Sequence, residues 1–185
     1  MDVALTLDHN EESIIQACVR REKWAQKIIY EAYYGKMMGV CIRYSKTEEE
    51  ALDILHDGFI KVFRYIGKYK PGTSLFSWIR RIMVNTAIDH YRKMSRRRTE
   101  SIDLAYDVEN DQPSAIEKVT EKEILFAVQQ LTPTYRTVFN LYVVEGYSHR
   151  EIADKLDISE STSRSNLVKA RSKLKEMLIH LSPDR

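Results

Sequence analysis

Between Ser161 and Lys175 the chain carries Arg164, Lys169, Arg171, Lys173 and Lys175 and no acidic residue. If this stretch is helical, Leu167, Ala170, Leu174 and Leu178 fall on one side at spacings of three and four. Arg164, Ser165, Val168, Arg171 and Lys175 then fall largely on the opposite side. A guanidinium fork can donate two hydrogen bonds to a guanine edge, and basic heads neutralise phosphates. The implied chemistry is recognition of duplex DNA. A second set, Arg81, Asn85, Ile88 and Arg92, recurs at spacings of four, three and four. An asparagine amide can pair with a base edge, while Arg81, Arg92, Lys93 and the Arg96–Arg98 run can neutralise phosphates. A third set, Asp53, Asp57, Ile60, Lys61 and Arg64, places one apolar residue among charges, which suits either a surface that meets another protein helix or a solvated face with an Asp57–Lys61 pair.

The elements that must position the first set are written into its flanks. Ser148 followed by Glu151 is a capping box and opens a helix. Ile152, Ala153 and Leu156 give that helix one apolar face. Asp157 tolerates the left-handed conformation that a tight turn requires. Ile158 plugs the turn, and Ser159 caps the longer basic helix. A short helix braced against a longer basic one is the helix-turn-helix geometry that places side chains in a major groove. An ordinary helical hairpin with a solvated basic face would show much of the same pattern.

The 185 residues are 43% hydrophobic, with six glycines and four prolines. That composition suits one globular domain or two small ones and argues against a fibrous or loop-rich chain. No stretch approaches a membrane span, and the start of the chain lacks the basic-then-apolar order of a secretory signal. Cys18 and Cys41 have no metal-ligand spacing and read as small buried residues of a reducing cytoplasm. The net charge of +2 hides a division. Residues 1–98 carry 18 basic against 12 acidic side chains, residues 99–123 carry 2 against 8, and residues 124–185 carry 9 against 7. Two basic lobes flank an acidic connector, which suggests a polyanion touched at both ends.

Helical periodicity runs through both lobes, with no strand-pair signal. Helices are expected over Glu11–Arg20, over Glu22–Tyr44 with Trp24, Ile28, Tyr34, Met38 and Cys41 among its apolar or aromatic positions, and from a Thr47/Glu50 capping box to Ile66. On the last, Leu52, Leu55, Phe59, Val62, Phe63 and Ile66 form the core face. Pro71-Gly72 marks a loop over Lys68–Thr73. Thr73 or Ser74 then caps a helix to about Met94, whose inner face is Leu75, Ile79, Ile82 and Thr86. Residues 99–112 read as an acidic linker. A helix capped by Ser114 with Glu117 runs to Gln130, and Thr132-Pro133 starts another to Glu145. The fold class expected is all-α: two small helical domains, 1–98 and 114–185, joined by a flexible acidic linker, 99–113, with the helix-turn-helix in the second.

Two blocks resemble one known family. ALDILHDGFIKVFRYIGKYKPGTSLFSWIRRIMVNTAIDHYRK, residues 51–93, and LTPTYRTVFNLYVVEGYSHREIADKLDISESTSRSNLVKARSKLKEML, residues 131–178, are similar to the second and fourth conserved regions of extracytoplasmic-function sigma factors of bacterial RNA polymerase. The resemblance implies that Asp53, Asp57, Ile60, Lys61 and Arg64 dock on the clamp helices of polymerase's largest subunit. It implies that the loop containing Lys70, Thr73 and Ser74, with Arg81, Asn85, Arg92 and Lys93, holds the opened minus-ten element. Trp78 could stack on a flipped base, although its place near the core face favours a structural role. The fourth-region match carries over Arg164, Ser165, Val168, Lys169 and Arg171 as contacts to the minus-thirty-five element. Arg164 is the candidate for a guanine, and Lys169, towards the flank, for a phosphate. The chain has Asp157 where the family often has glycine and Asn166 where it often has a basic residue; Asn166 points away from the DNA face. The implied partners are core RNA polymerase, through the clamp helices and the upstream-facing flap, promoter DNA, and an anti-sigma factor, often membrane-bound. In the family the linker threads the polymerase channel later used by RNA.

Two other readings compete: a stand-alone helix-turn-helix regulator with a helical effector lobe, and a recombinase or nuclease targeted by the motif. No Ser/His/Asp set, phosphate-binding glycine loop or paired catalytic carboxylates supports an enzyme, and no cofactor is implied. Asp53, His56 and Asp57 lack a second cluster that would complete a metal site.

Overall fold

The computed structural model describes residues 3–100 and 120–181, with side chains for 11–96 and 120–179. Among them the chain is all-α: α1 (Val3–Val19), α2 (Lys23–Cys41), α3 (Glu48–Tyr65), a 3₁₀ turn (Ile66–Lys68), α4 (Leu75–Glu100), α5 (Glu121–Gln130), α6 (Pro133–Phe139), a π-turn (Asn140–Val144), α7 (His149–Leu156) and α8 (Glu160–Leu181). The expected linker, the Ser114/Glu117 cap and the side chains of Arg97 and Arg98 lie outside the described residues. Contact density divides the chain into two units, Met1–Ile42 with Thr47–Ala87, and Arg43–Lys46 with Ile88–Arg185.

In the first unit α1 packs on α2 and α2 on α3. The buried side of α2 is Ala25, Ile29, Met37, Val40 and Cys41, which leaves Trp24 and Tyr34 exposed. Both cysteines are buried, and neither is in a disulfide. Burial, with Glu22 nearby, pushes the Cys18 thiol up to about 11, so it stays protonated and inert. Thr47 accepts the Glu50 N–H and starts α3 as its sequence predicts. The α3 core face contains Leu55, Phe59 and Val62, joined by Ala51 and Ile54, with Leu52 and Phe63 half-buried. Gly58 lies where α4 approaches: a Cβ there would overlap the Met83 sulfur. Ser74 accepts the Ser77 N–H at 3.2 Å, so it is the cap of α4. That helix continues past the expected end near Met94 to Glu100, because Arg96–Arg98 are good helix formers and no glycine or proline stops it.

The second unit is organised around α8, which packs on α5, α6 and α7. Ala127, Val128, Leu131, Ala170 and Leu174 form its core, with Tyr135, Phe139, Met177 and Leu178 packed against them. Among the described residues α5 begins at Glu121, where Thr120 is extended and forms a complete capping box with Glu123. Thr132 and Pro133 start α6 as predicted. The expected helix to Glu145 is not regular, however, since it widens at Asn140 into the π-turn.

The strongest polar feature of this unit has no helical-periodicity signature. Arg136 is 3% exposed. Its guanidinium donates to Val128 O at 3.3 Å and to Gln129 O and Leu131 O at 2.7 Å each. These include carbonyls that the C-terminus of α5 cannot satisfy internally, at the end where a positive charge is favoured. Arg136 also reaches Tyr44 O at 3.5 Å, and Asn140 donates to Arg43 O at 2.7 Å, which ties the Arg43–Lys46 segment into this unit. Arg136→Met should lower stability by about 3 kcal/mol, because several buried carbonyls lose their donor together. Exposed Arg150→Met should stay within about 0.5 kcal/mol. Urea denaturation of the two variants checks this.

Candidate nucleic-acid interface

The helix-turn-helix forms as its residues dictate. Ser148 and Glu151 make both halves of the capping box. Asp157 adopts φ 57°, ψ 49°, and its N–H and that of Ile158 both reach Ala153 O. A non-glycine residue accepts this left-handed conformation because aspartate has a short polar side chain. Ser159 Oγ then accepts the Thr162 N–H at 3.0 Å, capping α8.

On α8 the expected division of faces is present. Ser163, Asn166, Leu167, Ala170 and Leu174 are buried, while Arg164, Ser165, Val168, Lys169, Arg171 and Lys175 are exposed, Val168 to 68%. Asn166 faces inward, as its register predicts. Arg164 is ion-paired with Glu160 one turn earlier, and Ser165 Oγ donates to Thr162 O at 3.0 Å. An exposed i,i+4 pair is worth roughly 0.3–0.5 kcal/mol, so Arg164 can leave Glu160 at little cost.

Sequence reasoning missed the support beneath this face. His149 Nδ1 lies 3.0 Å from Ser163 Oγ, linking the start of α7 to α8. The imidazole stacks on Tyr142 of the π-turn, with centroids 4.5 Å apart and planes at 23°. The Arg171 guanidinium lies 5.8 Å from the Tyr142 centroid. These contacts join residues 7 to 29 positions apart on different elements, which helical periodicity does not relate.

In the first unit the loop before α4 is internally braced. The Tyr69 hydroxyl reaches Thr73 O and, at 2.9 Å, Glu11 Oε1. Thr73 Oγ1 donates to Lys70 O at 2.8 Å, and Gly72 takes φ 84°, which a side chain would resist. Lys70, Thr73 and Ser74 are exposed, as are Arg81 and Asn85 one turn apart on α4. Ile88 breaks the expected stripe: it is 4% exposed and belongs to the core, because its apolar side chain gains more from burial than the register of its polar neighbours gains from continuity. Further along α4, Lys93 is exposed, whereas Arg92 is half-buried and donates to Asp154 O at 3.3 Å. Trp78 is half-buried and meets Tyr69 edge-on, with centroids 5.7 Å apart. Phe76, missed from sequence, is exposed beside Tyr33, with Lys36 Nζ 5.8 Å from its ring.

On α3, Asp53, Asp57, Ile60 and Arg64 are exposed and Lys61 is half-buried. Ile60 is 56% exposed, while Phe59 and Phe63 stack at 6.0 Å on the inner side.

Burial, followed by the Arg164 and Arg171 charges, holds His149 below its ordinary value of 6.5; Glu160 opposes this. The unfolded chain therefore takes up a proton before the folded one does. The stability contributed by the neutral ring is complete above pH 6.5 and is lost as pH falls from there through the lowered folded value. Thermal midpoints measured across this window should fall with pH in the native protein, and His149→Gln should flatten that component.

Comparison with known proteins identifies two regions of the chain. Residues 29–98 match Sigma-70 region 2, and residues 121–174 match Sigma-70 region 4. The chain is similar to the RNA polymerase sigma-H factor of Pseudomonas aeruginosa, at 26% identity over 91% of this chain and 93% of that protein. It is similar to the ECF RNA polymerase sigma-E factor of Haemophilus influenzae, at 24% identity over 91% and 95%. Among solved structures it resembles the sigma factor RpoE of Bartonella quintana in complex with the anti-sigma factor NepR, with a TM-score of 0.49 and 21% identity, covering 86% of this chain and 98% of that one. The two regions occur in family order, on the capped helices described above. The chain belongs to the extracytoplasmic-function class of RNA polymerase sigma factors, which direct promoter-specific transcription initiation.

Proposed function

We propose a division of labour along the chain. Residues 1–98 dock on core polymerase and hold the opened minus-ten strand, residues 99–113 connect, and residues 114–185 read the minus-thirty-five duplex. The exposed stripe on α8, capped by Ser159, carries this reading: Arg164, Ser165, Val168, Lys169 and Arg171 face solvent while their neighbours are buried. Arg164, close to the helix start, contacts a base; Lys169 and Arg171 contact the groove edge and backbone.

The opened strand meets Lys70, Thr73, Ser74, Arg81 and Asn85, with Lys93 and Arg92 extending the basic path. Asn85 reads a base edge, supported by its exposure one helical turn from Arg81. Arg92 must release Asp154 O to contribute. Asp53, Asp57, Ile60, Lys61 and Arg64 dock on the clamp helices of the largest subunit, with Ile60 as the apolar anchor. The upstream-facing flap engages the second unit. The protein supplies no bond-making chemistry and needs no cofactor, and catalysis belongs to polymerase. It works in the cytoplasm, and among the described residues no helix is long and apolar enough to cross a membrane. An anti-sigma factor, including a membrane-bound one, restrains it; this part rests on family membership.

The alternative, a stand-alone helix-turn-helix regulator, requires tight duplex binding without polymerase. In vitro transcription with core polymerase and a promoter library separates the two. Promoter-specific initiation is expected, and its absence from a folded, core-bound protein would sink the proposal. Arg164→Ala should change preference in the upstream element alone by about tenfold or more, the worth of a good bidentate base contact. Ile60→Asp should weaken core binding by about tenfold or more without changing promoter preference. Core-binding titrations check the second variant.

A further inference from the structure

The π-turn before the helix-turn-helix buries Asn140 and Leu141, but not Tyr142. Such widened turns are rare and cluster at functional sites. This one spans Asn140–Val144 and closes with Glu145 N–H to Asn140 O at 3.0 Å and Tyr147 N–H to Leu141 O at 2.9 Å. It carries the half-buried Tyr142. One contact of that ring is the His149 imidazole, itself held by Ser163, which is fully buried on α8. Another is the exposed Arg171 guanidinium at 5.8 Å, within the range of a cation–π interaction. Three elements therefore converge on one ring: the π-turn, the first helix of the motif and the recognition helix.

We infer that Tyr142 is a positioning residue for upstream-element recognition, whose ring, braced by His149, holds the Arg171 guanidinium in place for DNA. A free arginine side chain must give up rotamer entropy when it binds. A guanidinium already resting on an aromatic face gives up less, so part of the ordering is complete before DNA arrives. His149 supports this arrangement best as a neutral ring, and its surroundings favour that form. The inference rests on the proposed reading of Arg171 as a DNA contact and adds to it the residue that aims it.

The test is a double-mutant cycle of the full chain with core polymerase: wild type, Tyr142→Leu, Arg171→Ala and the double variant. Each is scored by the ratio of initiation at a promoter with an intact upstream element to one with that element scrambled. Thermal midpoint and core affinity are measured alongside. Tyr142→Leu should lower the ratio about threefold to tenfold when Arg171 is present, the size of a moderately desolvated cation–π contact. It should lower it less than about 1.5-fold when Arg171 is absent, since nothing remains to aim. Tyr142→Phe, which keeps the ring, should restore the ratio. If Tyr142→Leu does not fold, Tyr142→Met replaces it, filling similar space without a π face. Equal losses in both Arg171 backgrounds would mean that Tyr142 acts only through stability, and the inference falls while the reading of Arg171 stands. An Arg171→Ala protein with an unchanged ratio overturns that reading and the inference together.

Discussion

A single buried cation organises the C-terminal unit. Arg136 is taken out of water and its fork is spent on main-chain carbonyls around the end of α5. Leaving that charge unpaired would be costly, as would leaving those carbonyls without donors, so the two demands satisfy each other only in one geometry. The geometry fixes the corner between α5 and α6. Both helices pack on α8, so the corner also determines which side of α8 remains uncovered. The basic face depends in this way on a basic residue that never meets solvent.

Local grammar was readable wherever one residue type has one dominant use. Ser148 with Glu151, Asp157, Ser159 and Thr132-Pro133 each predicted a boundary that the structure contains, because capping depends on neighbours three residues away. The inward and outward faces of α8 followed from the same short-range logic. Arg136 was not readable, since an arginine's type predicts exposure and only the tertiary fold reveals carbonyls waiting for it. Ile88 was grouped with a polar stripe that its apolar chemistry contradicted, and burial decided the matter. The π-turn was invisible because the residues around Tyr142 look like the continuation of an ordinary helix. The contacts of its ring become apparent only when α7 and α8 are folded beside it.

The recognition surface proposed on α8 is modest in charge, and part of it is already engaged: Arg164 with Glu160, Arg171 with Tyr142. Such a surface discriminates better than it adheres. Independent tight binding to a polyanion comes from many released counterions, whereas selection among sequences comes from a few donors held at defined angles. A sigma factor that acts with polymerase can leave adhesion to the larger assembly.

The glycine at position 58 has a mechanical meaning. It stands beside Asp57 on α3, and Met83, whose sulfur occupies the space a side chain would need, stands two residues from both Arg81 and Asn85 on α4. The helix that presents Ile60 and the helix that presents Asn85 thus meet at a soft, polarizable side chain. If α3 grips a protein partner and α4 a nucleotide, as proposed, the two surfaces meet at one thioether, and a larger residue at position 58 would have to push the Met83 side chain aside.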